Sequence, residues 1–518
     1  MKTDFAEIFK KLILPLLILF TSLLLLLLLE PLFRIERGRK GEPAQSSVEE
    51  TSSKESGKKE SRDPAASASS ASEPERERME ESKAEHKRGG MTESPPSFDG
   101  EKKEEESRQP VDEHRIYLIT DGHYFSPDLT DYQEAYQEAM GRDDGKNIED
   151  IREITQIWVD EVFESRPKAV ILSGDITLDG EKQSHLELES LLRPIYDAGI
   201  LVLVVPGNHD INNHRAGRFE GEKKLPTDTV SPEEFLEIYY DFGYSKAYAR
   251  DEHSLSYIYQ LDETRFLLML DSSVYIPENK VYGTIKEETL QWLENELPGI
   301  IAKDAYIISV AHHNLLPQSR FYTDEVTLTN YRELVALHEK FGIGIWLSGH
   351  LHLQRIKSYK NEPGDLAERE RTTELVTGPF ATYPYPYADI YWDEDCFIYT
   401  RKETKAGEEL RQRGLEIFAG IIGKQIDDIT RGLPEDIEKE ISDQYVRLLA
   451  EYISGNAVDE KEFKTSTGYF YIDKYMSNTQ VMEDIEKMLA DCKEDHHYFY
   501  HRRKRGEERE GISQALSE

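Results

Sequence analysis

At 518 residues, with 101 Asp and Glu against 64 Lys and Arg, the chain carries a formal net charge of -37. Residues 1–108 contribute only about -3 of it, so the acidity is concentrated on the rest. A surface this negative repels polyanions beyond a Debye length of about 8–10 Å, which argues against long duplex nucleic acid as a partner. A small phosphate compound can approach only where bound cations supply local positive charge.

The first recognisable element is the apolar run Leu12 to Leu29, broken only by Pro15, Thr21 and Ser22. At about 1.5 Å per residue, a helix of this length spans a hydrocarbon core of ~30 Å with little tilt. It ends in Leu29-Glu30-Pro31 and lacks a small-residue cleavage site, so the expectation is an uncleaved anchor behind a short segment 1–11. Lys2, Lys10 and Lys11 precede the run and Arg34, Arg37, Arg39 and Lys40 follow it, so positive charge leaves the orientation close to a tie. The layout, a short leading side with a long chain behind, is that of a single-pass signal anchor with the bulk outside the cytoplasm. Residues 30–112 are rich in Glu, Lys, Arg and Ser, cannot bury enough apolar area to offset ordering entropy, and read as a charged tether.

From about 113 to 402 the texture is that of a folded domain. Apolar runs at Ile116–Thr120, Ala169–Ser173, Ile200–Val205, Ser256–Gln260, Phe266–Leu270, Tyr306–Val310 and Ile343–Leu347 are short and bounded by Gly, Asp, Asn or Pro, which predicts strands. Ile151, Ile154, Trp158 and Val162, then Leu188, Leu191, Leu192, Ile195 and Tyr196, recur at helical spacing between them. Strands alternating with helices, followed by a hairpin, predict a layered α/β fold with mixed sheets. Residues 403–518 read as a small all-α domain. Its stripes are Phe418, Ile422, Ile426, Ile429 and Leu433, then Ile437, Ile441, Leu448 and Tyr452, then Met482, Ile485 and Leu489. His496-His497 and His501 to Arg505 are expected in a solvated tail. Cys396 and Cys492 form neither a zinc-ligand spacing nor a disulfide framework, and two unpaired thiols are expected.

Five blocks carry chemistry. They are Thr-Asp-Gly-His at 120–123, Ser-Gly-Asp at 173–175, Pro-Gly-Asn-His-Asp at 206–210, Ala-His-His at 311–313 and Ser-Gly-His-Leu-His at 348–352. Each alone is weak, since Gly-Asp is usually a turn and His-x-His is often structural. Together they place seven metal-ligating types directly after apolar runs, where a rigid strand carries its ligand to the rim of a sheet: Asp121, His123, Asp175, Asn208, His312, His350 and His352. Hydrolysis of a phosphate ester at neutral pH needs an activated water and a counter to growing oxyanion charge. Two cations ~3.5–4 Å apart supply both, provided one anionic ligand bridges them. Mixed imidazole and carboxylate ligands suit Mn, Fe or Zn better than Mg or Ca.

The ordered set Asp-x-His, Gly-Asp, Gly-Asn-His-Asp, His-His and Gly-His-x-His resembles the calcineurin-like metallophosphoesterase superfamily. Val-Pro-Gly-Asn-His-Asp-Ile-Asn-Asn at 205–213 and Leu-Pro-Thr-Asp-Thr-Val-Ser-Pro at 225–232 are similar to a narrower group, bacterial exported proteins related to class III cyclic-nucleotide phosphodiesterases with a helical carboxy-terminal domain. The resemblance covers roughly residues 113–500 and implies an α/β-β-α sandwich with mixed sheets. It implies one divalent metal on Asp121, His123, Asp175 and His352, and a second on the bridging Asp175 with Asn208, His312 and His350. It also makes His209 the catalytic histidine, Asp210 the carboxylate that orients it, and His313 a neighbour and no ligand. The function implied is a membrane-anchored phosphodiesterase in which hydroxide held between the metals attacks 3′,5′-cyclic nucleotides.

Two other readings stand beside it: an envelope phosphatase or phosphodiesterase acting on nucleotides, glycerophosphodiesters or wall polymers, and a non-catalytic surface scaffold with a structural metal site. Asp175 and His209, which a decayed site loses first, are both present. Solvent contact is the expectation for His214 and Arg215, loop packing for Tyr383, Tyr385 and Tyr387, and an ordinary core or surface setting for His185 and His253. The insertion at 124–147 is expected to shape the pocket.

Overall fold

The computed structural model describes residues 110–142, 144–323, 325–359 and 372–503. The expected anchor at 12–29 and nearly all of the tether lie outside the described residues. Among those described, no helix is long and apolar enough to cross a membrane.

The strands run in chain order β1 (Asp112–Ile119), β2 (Pro167–Ser173), β3 (Leu201–Val205), β4 (Gly217–Glu220), β5 (Lys223–Pro226), β6 (Ala249–Arg250), β7 (Tyr257–Gln260) and β8 (Arg265–Leu270). They continue with β9 (Tyr306–Ala311), β10 (Ile345–Ser348), β11 (Arg355–Ser358), β12 (Thr373–Val376), β13 (Pro386–Trp392), β14 (Cys396–Glu403) and β15 (Tyr498–Arg502). One sheet has the order β15-β14-β13-β1-β2-β3 and the other β11-β12-β10-β9-β8-β7-β6, with β4-β5 a separate hairpin. Parallel pairing joins β1 to β2, β2 to β3, β8 to β9, β9 to β10 and β10 to β12, while β13, β14, β15, β11, β7 and β6 join the sheets antiparallel.

Period-two alternation explains the layering. Leu267, Met269, Ile308, Val310, Ile345 and Leu347 share one core with the first sheet. Their alternates Phe266, Leu268, Ile307 and Trp346 pack instead against helices. Helix α1 (Glu134–Met140) packs on the β4-β5 hairpin. Outside the first sheet lie α2 (Ile151–Ser165), α3 (Lys182–Asp197) and the short α4 (Pro232–Ile238); α5 (Glu287–Ile301) and α6 (Tyr331–Phe341) cover the second. In α2, Ile151, Ile154, Trp158 and Val162 form the buried stripe read from spacing, each contributing about 1.5–3 kcal/mol of burial. The helix stops at Arg166 in the left-handed conformation, whose N–H bonds Val162 O. The result is the expected α/β-β-α sandwich.

The last helices are α7 (Glu408–Thr430), α8 (Glu435–Ser454), α9 (Glu460–Lys464), α10 (Thr467–Met476) and α11 (Gln480–Asp491). Their stripes close a core of their own that also takes in Tyr322, Leu351, Leu353 and Val376. The chain then returns as β15, antiparallel to β14, so the helices form an excursion between two neighbouring strands. This corrects the reading of residues 496–503 as a solvated tail. Tyr498, Phe499, Tyr500, His501 and Arg502 lack an apolar alternation because β15 is an edge strand with Tyr498 and Tyr500 exposed, which hides it from periodicity. Both cysteines are free.

Candidate metal centre

Parallel pairing points the carboxyl ends of β1, β2 and β3 the same way, as it does for β9 and β10, and all five chemistry-bearing blocks sit on these ends. The loops are tied together by their backbones: Asp121 N donates to Gly174 O at 3.1 Å, His123 N to Asp175 O at 2.9 Å and Gly349 N to His312 O at 3.0 Å. Gly349 is required by this closeness, because a Cβ there would stand 1.8 Å from Thr120 Oγ1. Five of the residues have left-handed backbones, with φ of 52° at Asp121, 42° at His123, 46° at Asp175, 66° at His350 and 52° at His352. Non-glycine residues in this region cost of order 1–3 kcal/mol each and persist where surrounding structure over-determines them.

Two groups of side chains result. Asp121, His123, Asp175 and His352 converge with ligand atoms within 4.8 Å of one another, and Asp175, His312 and His350 do the same. Asp175 belongs to both. His312 Nε2 stands 3.0 Å from Asp175 Oδ2, and His352 Nε2 stands 3.2 Å from Asp121 Oδ1. Asn208 follows β3 with its Oδ1 buried.

The outward nitrogens of three rings are satisfied. His312 Nδ1 lies 3.0 Å from Ser173 O, His350 Nε2 3.3 Å from Glu325 O and His352 Nδ1 2.5 Å from Asp144 Oδ2. Each ring therefore keeps its other nitrogen for the interior. By contrast His123 Nδ1 and Asn208 Oδ1 are buried without a hydrogen-bond partner, and His123 Nε2 meets His352 Nε2 at 3.1 Å. Buried polar atoms are normally paired, so orphaned ligand-type atoms in these blocks fit bound cations.

Electrostatics agrees. Burial opposes charge on His312 and His352, yet Asp175 pulls the first up to about 9, and Asp144 and Asp121 pull the second up to about 10. Burial also works against Asp175, but His312 and His209 outweigh it and hold the carboxyl well below its ordinary value. His123 is driven well below its ordinary value by burial, with Lys146 and His209 adding to the effect. A cluster that draws a proton onto imidazoles this deeply buried is one that stabilises cations, and metal binding would displace those protons.

His209 stands beside the cluster. Its Nε2 is 3.9 Å from Asp175 Oδ2, its backbone N donates to Asp175 Oδ1 at 2.7 Å, and its ring lies edge-on to His123 with centroids 4.9 Å apart. The carboxylate facing it is not the expected one. Asp210 turns inward, where it accepts from Gly207 N, Ile176 N, Thr177 N and Thr177 Oγ1 and braces the turns of two blocks. Burial and the nearby Asp175 push it up to about 6. Asp179 takes the place instead, with Oδ1 3.3 Å from His209 Nδ1, while Leu178 O accepts from the same nitrogen at 2.5 Å. Burial works against Asp179 too, but His209, Arg215 and Lys224 hold it below the usual carboxylate range.

Arg215, expected in solvent, is half-buried, with Nε 3.2 Å from Asp179 Oδ1 and Nη2 3.4 Å from either ring nitrogen of His209. His214 is exposed. His313 bonds Ser272 Oγ and Val281 O, at 2.8 and 2.9 Å. Tyr385 and Tyr387 are packed in the core. Of the residues that sequence reasoning missed, Asp179 had a faint signal as the second acid of Gly-Asp-x-x-x-Asp-Gly. Asp144 had none.

Residues 114–354 match the model of the family described as Calcineurin-like phosphoesterase. The domain is a calcineurin-like phosphoesterase. The chain is 26% identical over 204 residues to a "Probable cyclic nucleotide phosphodiesterase" of Rhodococcus erythropolis, a stretch that covers 39% of this chain and 57% of that protein. It is also 26% identical over 185 residues to a protein of the same description from Ruthia magnifica, covering 36% of this chain and 62% of the relative. The chain thus spans about three-fifths of the length of these curated relatives. Among solved structures it is similar to a dimetal phosphatase from Danio rerio at 16% identity and a TM-score of 0.41, covering 57% of this chain and 97% of the other.

Proposed function

We propose that this protein is a membrane-anchored phosphodiesterase that holds two divalent cations, Mn or Fe first and Zn next, and hydrolyses phosphodiesters, with 3′,5′-cyclic nucleotides as the first substrate class. The observation that carries the reading is the sharing of Asp175 between two ligand groups, with His209 Nε2 3.9 Å from its Oδ2. Asp121, His123, Asp175 and His352 would hold one cation, and Asp175, Asn208, His312 and His350 the other. Bound there, the pair supplies Lewis acidity, making water a better nucleophile and neutralising phosphate oxygens.

The chain's own groups do the remainder. His209 donates Nδ1–H to Leu178 O, which leaves Nε2 as the atom that carries a proton toward the leaving oxygen while the P–O bond breaks. Asp179 sets a negative charge against the ring's far side, where a protonated imidazole needs it. Arg215 supplies a guanidinium beside the same ring, suited to pairing with a phosphate oxygen. The names of the two bacterial relatives support cyclic nucleotides as substrates. The apolar run at 12–29 supports an anchor, and the orientation proposed with it places the phosphoesterase outside the cytoplasm.

The test is a substrate panel on the full chain in detergent with Mn²⁺, comparing cyclic nucleotides, aryl and glycerol phosphodiesters, and monoesters. Diester turnover led by cyclic nucleotides is expected, and His209→Ala should lower kcat by about 10²–10⁴-fold at unchanged metal content. Faster turnover of monoesters or wall-type diesters would favour the envelope phosphatase reading. No turnover with Mn, Fe or Zn would defeat the enzyme reading. Protease accessibility of intact cells checks the orientation.

A further inference from the structure

The turn that carries His350 and His352 is shared between two cores. Both histidines join the ligand groups, while Leu351 and Leu353 enter the core of the helical excursion with Phe418, Ile422 and Tyr452. A second link runs through the loop at 144–150. Asp144 Oδ2 lies 2.5 Å from His352 Nδ1, and Asp144 Oδ1 lies 2.6 Å from Nζ of Lys146, whose side chain is only 8% exposed. Between them Gly145, at φ 96°, is pressed so close to α7 that a Cβ would stand 2.5 Å from Phe418 Cδ2. At the loop's far end Arg413 of α7 grips Asp150, Nη2 to Oδ1 at 3.0 Å and Nε to Oδ2 at 3.2 Å. Asn147 Nδ2 donates to Asp150 Oδ2 at 3.0 Å and to Tyr385 OH at 2.8 Å, which fixes the span between the two grips.

We infer that the helical excursion is a positioning element of the metal centre: Phe418 and Arg413 hold the 144–150 loop so that Asp144 fixes the ring of His352. The inference rests on the two-metal reading above and adds a role for a region that supplies no ligand. A carboxylate on the outer nitrogen of a ligating imidazole locks its rotation and tautomer and raises its basicity, and removing such a partner typically weakens metal binding 10–100-fold. Asp144 is a positioning residue in this scheme, Phe418 positions Asp144, and the effect is confined to the cation that His352 holds.

The experiment is Mn²⁺ titration by calorimetry on the full chain, with the coupled-pair electron paramagnetic resonance signal as a second readout. The unaltered chain should take up two ions. In Asp144→Asn one binding step should weaken by about 10–100-fold, the other should stay within about threefold, and the coupled signal should fade at limiting metal. Phe418→Ala should weaken the same step by a smaller factor and Phe418→Leu should restore it. Ile485→Ala is the control, because its helix α11 packs on α8 and α10; it should leave both steps unchanged. Unaltered binding in Asp144→Asn would overturn the inference, as would equal weakening of both steps by Phe418→Ala or by Ile485→Ala. An unaltered chain that binds no pair of ions would defeat the two-metal reading itself, a different result from two ions bound with indifferent variants.

Discussion

The sandwich and the helical excursion answer different physical demands. Left-handed non-glycine backbone clusters at the strand ends, at Asp121, His123, Asp175, His350 and His352. Across α7 to α11, Gly432 and Gly455 are the positive-φ positions among the described residues. The excursion is built from ordinary amphipathic helices with caps such as the side chains of Asp459 and Ser466. Strain is stored where separate loops must meet at one point, and a rigid two-sheet core holds it in place. A bundle of helices has no such convergence to enforce, so its backbone is relaxed and its sequence is more regular.

The contrast can be broken at several points. Asp175→Asn should have the largest effect, because it removes the carboxylate common to both ligand groups: metal content below two ions per chain, and turnover down by several kcal/mol, roughly 10³-fold. Metal analysis that still finds two ions would refute the bridge. Asp179→Asn should slow turnover by about 10–100-fold at unchanged metal content, since it acts through His209 alone; a fall in bound metal would show that the assignment is wrong. In the excursion, Ile485→Ala should behave as a plain core truncation, costing about 2–4 kcal/mol in urea unfolding while the activity of the folded protein persists. Lost activity at full folding would erase the distinction between the two regions.

The smallest effect concerns Glu181, a buried carboxyl whose Oε2 accepts from Asp179 N at 3.1 Å. Burial first and Asp179 second push it up to about 8 from its ordinary 4.5. The folded chain keeps a proton there that the unfolded chain releases, so this stabilisation is present below about pH 4.5. It is lost as pH rises toward 8, with a slope of up to about 1.4 kcal/mol per pH unit. Glu181→Gln should flatten that slope in unfolding curves taken from pH 5 to 8.5; an unchanged slope would mean that Glu181 is ionised in the fold.

How much was legible varied with the kind of residue. Strands β2, β3, β8 and β9 were readable because buried parallel strands are continuous apolar runs. Strands β11, β13 and β14 were not, because flanking strands mix Arg, Lys, Glu and Asp into their less buried faces, and β12 was hidden by its brevity and by the buried Glu374 within it. Asp210 was expected to serve His209 as its chain neighbour, yet the turn at Gly207 folds it back onto Thr177 and leaves the place to Asp179, thirty residues upstream. The tail at 496–503 read as polar because a strand at a sheet edge needs only one apolar side.

From the chain order of residues alone came the sheet-and-helix alternation, the helical stripes and the set of ligand types, since each depends on local spacing or on what a metal accepts as donor. Tertiary structure alone decided that Asp144 reaches His352, that Arg215 and Asp179 flank His209, and that the excursion leans on the ligand turn. The first of these contacts joins residues 208 positions apart. No local preference encodes them, because they exist only once packing of the two sheets and the helical core has set which loops share one space.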